Sequence, residues 1–566
     1  MAPESLKSKK TPWAYVLIRL LFKFVLKVFY ASIVIENEDF IPGNGCPTII
    51  CANHGNSLTD AIMIITSVSS KKRNFLRMTA KSTLFGKRTF SSWLIESVGS
   101  VPVKRRQDNP GDNSDNTLVL NSLVQALEEG DAICLFPEGM SKYQSKLSPI
   151  KTGAARIASD TLSRNLADPD FEVTLLTCSI AYVHPSRFRS DVLVTFNPPL
   201  HLRPSTHPSL IQRPGSPFPA GAIQSLTRLI QTQLSSGIID APSWEIVQVS
   251  KTAARMYAPF GTRMSLGDWV RVVRAFICGF APTPDATTRI EDEEPNHKGI
   301  IGRDAISVLI RDLKAYQGAI DSLGLKDDRI RRPASRPSLL WRLILRLGWL
   351  GVLLPMALPG LVLWTPIFLT ASYYGNKMKR SGPVSDVYDE IAQQKLIYGL
   401  LSGTIVWLGC ILTTLPLFWL TFWLVPVWMW MTLRWTEDLT STFRAVRAIS
   451  KMLYFHHGEL RRLRQIRDEL HERVHSFAVG NLGLPEDPEK FFVLERRRSR
   501  SSTFDGTTSA TDLDEIAQTA RLKGRVGGRW DAIRRYFSIV RRRKRDWNET
   551  IRWYDMTEFP DDSTQI

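Results

Sequence analysis

The hydrophobic pattern divides the chain into three kinds of sequence. Residues 13–35 are apolar but are interrupted by Arg19, Lys23 and Lys27, one at every fourth position. On a helix these cations form one slowly drifting stripe. That pattern predicts a helix in a membrane interface with its cations toward lipid phosphates, although an amphipathic helix packed on its own domain has the same period. The cations and the lack of a small-residue cleavage site argue against a signal peptide. Over residues 37–250 apolar runs alternate with helical patterns. Strands are expected at 47–52, 132–136, 172–183 and 192–196, and helices at 61–67, 118–129 and 151–164. Strands alternating with helices predict an α/β domain. Residues 107–116 and the proline-rich 203–220 read as loops. Residues 251–336 are mixed and more helical, with an acidic patch at 291–294.

The third kind of sequence is uncharged. Residues 347–376 and 396–433 carry no Asp, Glu, Lys or Arg, and each exceeds the ~20 residues a helix needs to cross a bilayer. Pro355, Pro359 and Pro366 interrupt the first, and Pro416 and Pro426 the second. Seven tryptophans lie in these stretches, several near the ends, where an aromatic belt forms. A membrane hairpin of two spans is expected. It would place both basic flanks on the cytosolic side, against which Lys377, Lys379 and Arg380 in the connection argue; a re-entrant hairpin removes that conflict. The expected organisation is a basic membrane-interface helix (1–36), an α/β domain (37–250), a helical extension (251–336), a transmembrane hairpin region (337–433) and a cytosolic C-terminal region (434–566). That last region holds a Ser/Thr-rich stretch around 496–511, read as disordered, with Ser499, Ser501 and Ser502 as candidate phosphorylation sites. It also holds a basic segment at 521–545.

Composition sharpens this picture at three points. A length of 566 residues implies more than one folded unit, and 43% apolar content excludes a mostly disordered chain. The six cysteines show neither a CxxC pair nor zinc spacing. A reducing compartment and no metal site are therefore expected, with each cysteine a small buried hydrophobe. The net charge of +18 is two blocks of +10, at residues 1–106 and 521–545, with the remainder at −2. Such a balance calls for a polyanion, either a phospholipid surface or nucleic acid. In the tail, Trp530, Tyr536, Phe537 and Ile539 alternate with arginine, which favours the membrane surface.

Four stretches carry candidate chemistry. Ala52-Asn-His-Gly-Asn-Ser-Leu-Thr-Asp60 follows a strand and holds a His and a carboxylate close enough to pair. Such a carboxylate fixes the imidazole tautomer and stabilises the cation that forms when His takes a proton. Val98-Gly-Ser-Val-Pro-Val-Lys-Arg-Arg106 places three cations after a strand, suited to a phosphate. Cys134-Leu-Phe-Pro-Glu-Gly-Met-Ser141 ends a strand in a carboxylate beside Gly, where ligands of α/β sheets sit. Thr177–Arg189 reads as a core strand leaving into a basic turn.

In this order and spacing the four stretches resemble the blocks of the glycerophosphate acyltransferase family, and residues 182–190 with the two late apolar segments are most similar to its fungal glycerol-3-phosphate / dihydroxyacetone-phosphate sn-1 branch. Two positions depart from the commonest pattern. Five residues separate His54 from Asp60 in place of four, and Thr177 stands where the fourth block usually carries Pro. The resemblance implies an acyltransferase-type mixed sheet flanked by helices, with a membrane hairpin and a partly disordered C-terminal region. It implies direct acyl transfer from acyl-CoA to the sn-1 hydroxyl of glycerol-3-phosphate or dihydroxyacetone phosphate, with no cofactor. In this reading His54 is the general base, oriented by Asp60. Arg105 binds the acceptor phosphate, helped by Lys104 or Arg106. Glu138, Gly139 and Ser141 form the acceptor pocket, and Asn53 is a candidate oxyanion donor. The implied location is the endoplasmic reticulum membrane with the catalytic domain facing the cytosol, and no nucleic acid is expected as partner. The alternatives are a lysophospholipid acyltransferase, which also takes a hydroxyl near a phosphate, and a non-catalytic lipid-binding scaffold, which has no need of His54, Asp60, Arg105 and Glu138 together.

Overall fold

A computed structural model of the chain describes residues 11–103, 117–212, 218–258, 264–281, 303–324, 327–330, 336–454, 457–488 and 491–492. Lys104, Arg105, Arg106, the 107–116 loop, the acidic patch at 291–294, the serines near 500 and the basic segment 521–545 lie outside the described residues. The chain divides into two compact units. The first comprises residues 1–247, 334–455 and 559–566, and the second 248–333 and 456–558.

The strands are β1 (Ser32–Glu36), β2 (Thr48–Ala52), β3 (Arg77–Lys81), β4 (Val101–Val103), β5 (Ala132–Leu135), β6 (Val173–Tyr182), β7 (Asp191–Phe196) and β8 (Leu200–Leu202). They form one sheet in the order β1-β7-β6-β2-β5-β3-β4, with β8 paired to β6. β2 lies between β5 and β6, parallel to both, with Cys51 level with Leu135 and Thr177. β3 and β4 continue in parallel beyond β5, while β7 runs antiparallel to β6. The C-terminal ends of β2, β4, β5 and β6 therefore meet on one edge of a mixed sheet.

The helices of the sheet region are α1 (Trp13–Phe29), α2 (Leu58–Ser67), α3 (Phe90–Ser97), α4 (Thr117–Glu128), α5 (Gly153–Arg164) and α6 (Ala220–Gly237); α7 (Trp244–Tyr257) follows, most of it in the second unit. The two-residue period of the strands sorts their side chains between two cores. Ile50 and Ala52 of β2 and Leu176, Cys178 and Ile180 of β6 pack with α1, α2 and α3. Ile49 and Cys51 of β2 and Val173 and Leu175 of β6 pack with α4, α5 and α6. All five residues of β2 are buried, as a strand covered on both faces requires.

Three expectations change. First, the apolar stretch 13–35 is a helix only to Phe29; Ser32–Glu36 forms β1 because its backbone pairs in parallel with β7. Tyr15, Ile18, Phe22, Val25, Leu26 and Phe29 of α1 are buried in the domain, while Leu17, Leu20 and Phe24 are exposed beside Lys23 and Lys27. Arg19 does not reach toward lipid; its guanidinium donates to the carbonyls of Val68 and Arg73. Secondly, Cys51, Cys134 and Cys178 are buried, but Cys46 and Cys278 are exposed. Thirdly, the two uncharged stretches yield three helices.

In chain order the further helices are α8 (Leu266–Phe280), α9 (Arg303–Leu323), α10 (Asp327–Ile330), α11 (Arg336–Lys379), α12 (Val384–Val387), α13 (Ile391–Thr413), α14 (Phe418–Tyr454) and α15 (His457–Gly480). Among the described residues, α11, α13 and the stretch Leu415–Tyr454 are long and apolar enough to cross a membrane. The second uncharged stretch breaks at Thr414, where a 3-10 turn with Pro416 ends α13 before α14 starts. Proline lacks the N–H a continuing helix would use. Close packing joins these helices. A Cβ on Gly360 would meet Thr432 Oγ1 at 1.8 Å, and Thr370 Oγ1 donates to Ser402 Oγ at 2.9 Å. Small residues and hydroxyls are how helices associate where lipid removes the hydrophobic drive.

The second unit is helical. Ser265 and Asp268 form a capping box at the start of α8. Arg467 of α15 is buried and donates to Asp327 at 2.9 Å, and His471 bonds the carbonyl of Met256 at 2.5 Å.

Candidate active site

The parallel sheet edge is where α/β proteins hold ligands. β2 delivers His54 there, and a short turn leads into α2, whose first turn carries Asp60. His54 Nδ1 lies 3.1 Å from Asp60 Oδ2. Between them stands Ser57, a non-glycine residue at φ 47°. Such a φ is costly for an L side chain. Here the Ser57 N–H donates to Ser141 Oγ at 3.0 Å.

Asp60 is fully buried and is satisfied by three donors. Its Oδ2 also accepts the Asn56 N–H at 2.8 Å, and its Oδ1 accepts the Tyr182 hydroxyl at 2.7 Å. Burial, reinforced by the Asp60 charge, pushes the Tyr182 phenol well above its usual range, so it stays a donor. Tyr30 extends the network, accepting from Asn56 Nδ2 at 3.2 Å and donating to the Pro185 carbonyl at 3.0 Å. Asp60 thus anchors Nδ1, and in the neutral imidazole a proton on Nδ1 leaves the lone pair on Nε2. The ring stacks on Phe136 with centroids 4.1 Å apart.

Glu138 works from behind. It is 6% exposed, and its Oε1 accepts the His54 backbone N–H at 2.6 Å while Oε2 accepts that of Ser148 at 3.2 Å. Burial raises its pKa, against the lowering effect of those bonds. Gly139 holds φ +75°, and a Cβ there would lie 2.5 Å from Lys151 Nζ, so only glycine leaves that ammonium its place. The Asn53 side chain is tied to β6: its Nδ2 donates to the Ile180 carbonyl at 3.0 Å and its Oδ1 accepts the Ile180 N–H at 2.7 Å. The basic turn after β6 is structural at Arg189, which donates to the carbonyls of Lys27, Val28 and Tyr30 and pairs with Glu437 of α14.

These groups border a cavity of about 1010 Å³. His54, Ser57, Gly139, Ser141 and Lys151 line it, whereas Asp60 and Glu138 stand behind its wall. Val103, the last residue before Lys104, also lines it. The rest is largely apolar, from Ile18, Phe22, Ile62, Ile65, Met78, Leu94 and Leu123. The stretch joining α11 to α13 contributes Asp386, Asp389 and Glu390, and the first turn of α13 contributes Gln393, whose Oε1 accepts the Leu58 N–H at 3.3 Å. The connection between the first two apolar helices therefore lies at the site.

Sequence reasoning missed Tyr182, Tyr30, Lys151 and Asp389. Only the last had a local signal, an Asp-Glu pair set directly before an apolar helix.

An acyltransferase family model matches residues 32–181, the whole of this edge. The chain carries an acyltransferase domain. A second model, the glycerol-3-phosphate acyltransferase 2 C-terminal domain, matches residues 249–384. The acyltransferase-bearing chain is similar to an uncharacterized acyltransferase of Schizosaccharomyces pombe, at 28% identity over 379 residues (64% of this chain and 52% of that protein). It is 23% identical over 503 residues to glycerol-3-phosphate O-acyltransferase 2 of Saccharomyces cerevisiae (70% and 64%). It is 24% identical over 293 residues to glycerol-3-phosphate O-acyltransferase 1 of the same yeast (50% and 36%). The chain thus covers less than two thirds of the length of each of these relatives. Among solved structures, the 1-acyl-sn-glycerophosphate acyltransferase of Thermotoga maritima aligns over 39% of this chain and 78% of that one, with 18% identity and a TM-score of 0.26.

Proposed function

We propose that this acyltransferase domain moves an acyl group from acyl-CoA to the sn-1 hydroxyl of glycerol-3-phosphate, giving lysophosphatidic acid, with dihydroxyacetone phosphate as a second acceptor that gives its own acyl ester. The observation that carries the reading is the His54–Asp60 pair, 3.1 Å apart, opening on a large and mostly apolar cavity. A histidine anchored through Nδ1 is a base at Nε2, and an apolar cavity suits an acyl chain. His54 Nε2 takes the proton of the acceptor hydroxyl as its oxygen attacks the thioester carbon. The carbon–sulfur bond then breaks, and the CoA thiolate recovers the proton from the imidazolium. No covalent enzyme intermediate is formed. Asp60 stabilises the transient imidazolium. Glu138 positions His54 through its backbone N–H, and Gly139 and Ser141 shape the acceptor end.

Arg105, with Lys104, binds the acceptor phosphate, for which Arg offers a planar fork. Their neighbour Val103 on the cavity wall supports this assignment. Yeast relatives named as glycerol-3-phosphate O-acyltransferases support the acceptor. The apolar helices and the exposed apolar side of α1 support a membrane location, in this reading that of the endoplasmic reticulum with the site on the cytosolic side. Membranes containing the full chain, given labelled acyl-CoA, should acylate glycerol-3-phosphate and leave lysophosphatidate unchanged. Turnover of lysophosphatidate without turnover of glycerol-3-phosphate would replace this reading with that of a lysophospholipid acyltransferase.

A further inference from the structure

One buried acid at the site has no part in the catalytic pair. Asp389 lies between α12 and α13, lines the same cavity as His54, and is only 3% exposed. Its Oδ1 has no hydrogen-bond partner, whereas the Ser141 hydroxyl bonds its carboxyl group. A buried carboxylate oxygen without a donor is costly, and native proteins rarely keep one without a use. The oxygen can only accept, so its complement in a ligand is a hydroxyl or N–H donor. It does not suit a phosphate, because Asp386 and Glu390 line the cavity beside it. Of the cations that line the cavity, Arg19 is tied to the carbonyls of Val68 and Arg73, while Lys81, Lys151 and Arg156 come from the end of β3, the approach to α5 and its first turn.

This divides the acceptor between acidic and basic groups. We infer that Asp389 is a specificity-determining residue that accepts a hydrogen bond from the hydroxyl next to the reacting one, the sn-2 hydroxyl of a glycerol phosphate, and so favours polyol phosphates over ketone phosphates. The inference rests on the acyl-transfer reading above. A ketone at the same carbon offers only an acceptor, which would face the carboxylate unpaired. Sites built around a substrate hydroxyl discriminate strongly against analogues that lack it.

The test compares three acceptors on the full-length protein in membranes: glycerol-3-phosphate, dihydroxyacetone phosphate and propane-1,3-diol monophosphate. The last two lack a donor at the middle carbon. The native protein should prefer glycerol-3-phosphate in kcat/KM, and Asp389→Ala should reduce that preference roughly tenfold or more, with Asp389→Asn between them. Ratios of kcat/KM cancel any loss of folded protein. An unchanged ratio in both variants, or a native protein with no preference among the three, overturns the inference. The native comparison decides it even where neither variant accumulates. Native protein that acylates none of the three acceptors removes the acyl-transfer reading itself; native protein that acylates them without preference removes only the role of Asp389.

Discussion

At the scale of single residues, the site is a chain of commitments behind one imidazole. Tyr30 holds Asn56, Asn56 and Tyr182 hold Asp60, Asp60 holds His54 Nδ1, and Glu138 holds the His54 backbone. Tyr182→Phe removes one of three donors to Asp60. It should lower kcat about three- to tenfold with KM little changed, less than the ~1.5–3 kcal/mol of a whole hydrogen bond to a charged group, because two donors remain. A larger rise in KM than fall in kcat would give Tyr182 a role in binding instead. Asp389 allows a separate prediction. Burial pushes its carboxyl up to about 6, and Glu390 and Asp60 act in the same direction against Ser141 and His54. Unfolded aspartate ionises near pH 3.9, so folding opposes its ionisation. Native stability should then fall relative to Asp389→Asn as pH rises from about 4 to about 6, and hold that deficit above. Thermal unfolding in detergent should show the variant more stable at pH 8 and equal to native below about pH 4. A native protein more stable than the variant at pH 8 would mean the charge is compensated.

At the scale of elements, small residues decide which helices meet. Gly360→Leu must push α11 from α14, because even a Cβ would overlap Thr432. The expected result is loss of folded protein after detergent extraction, measured by size-exclusion chromatography, while Gly351→Leu, where a Cβ meets nothing within 4 Å, is tolerated. Equal behaviour of the two variants would place the helix contact elsewhere. The alternation of strands and helices was readable wherever the elements were long enough for their period to show, as at β2, β5, β6, α4 and α5. Short elements were not. β8 has three residues, and the apolar run of β1 has no period that separates strand from helix. The break between α13 and α14 depends on one proline in a stretch that otherwise contains only apolar and small polar residues. The His54–Asp60 pair was legible because its members are six residues apart, whereas Tyr182 lies 122 residues from Asp60. That meeting is made by the sheet, and no local pattern announces it.

At the scale of the molecule, the basic charge serves two ends. Part of the first block is internal scaffolding: Arg73 is 3% exposed and donates to the carbonyls of Pro42 and Gly130 at 3.1 Å. Arg77 pairs with Asp131, Lys23 and Lys27 are exposed on α1, Lys81 lines the cavity, and the second block lies outside the described residues. The connection between α11 and α13 shares the cavity of His54, so Ser381→Cys in a cysteine-depleted chain should be labelled in sealed microsomes from the side on which the catalytic domain is digested by protease. Labelling only from the opposite side would contradict this placement. The account as a whole depends on one group. Labelled acyl-CoA and glycerol-3-phosphate supplied to equal amounts of membrane-integrated native protein and His54→Ala test it most directly. The account predicts lysophosphatidate from the native protein and a rate about 10²–10⁴-fold lower from the variant; comparable rates from the two would contradict it.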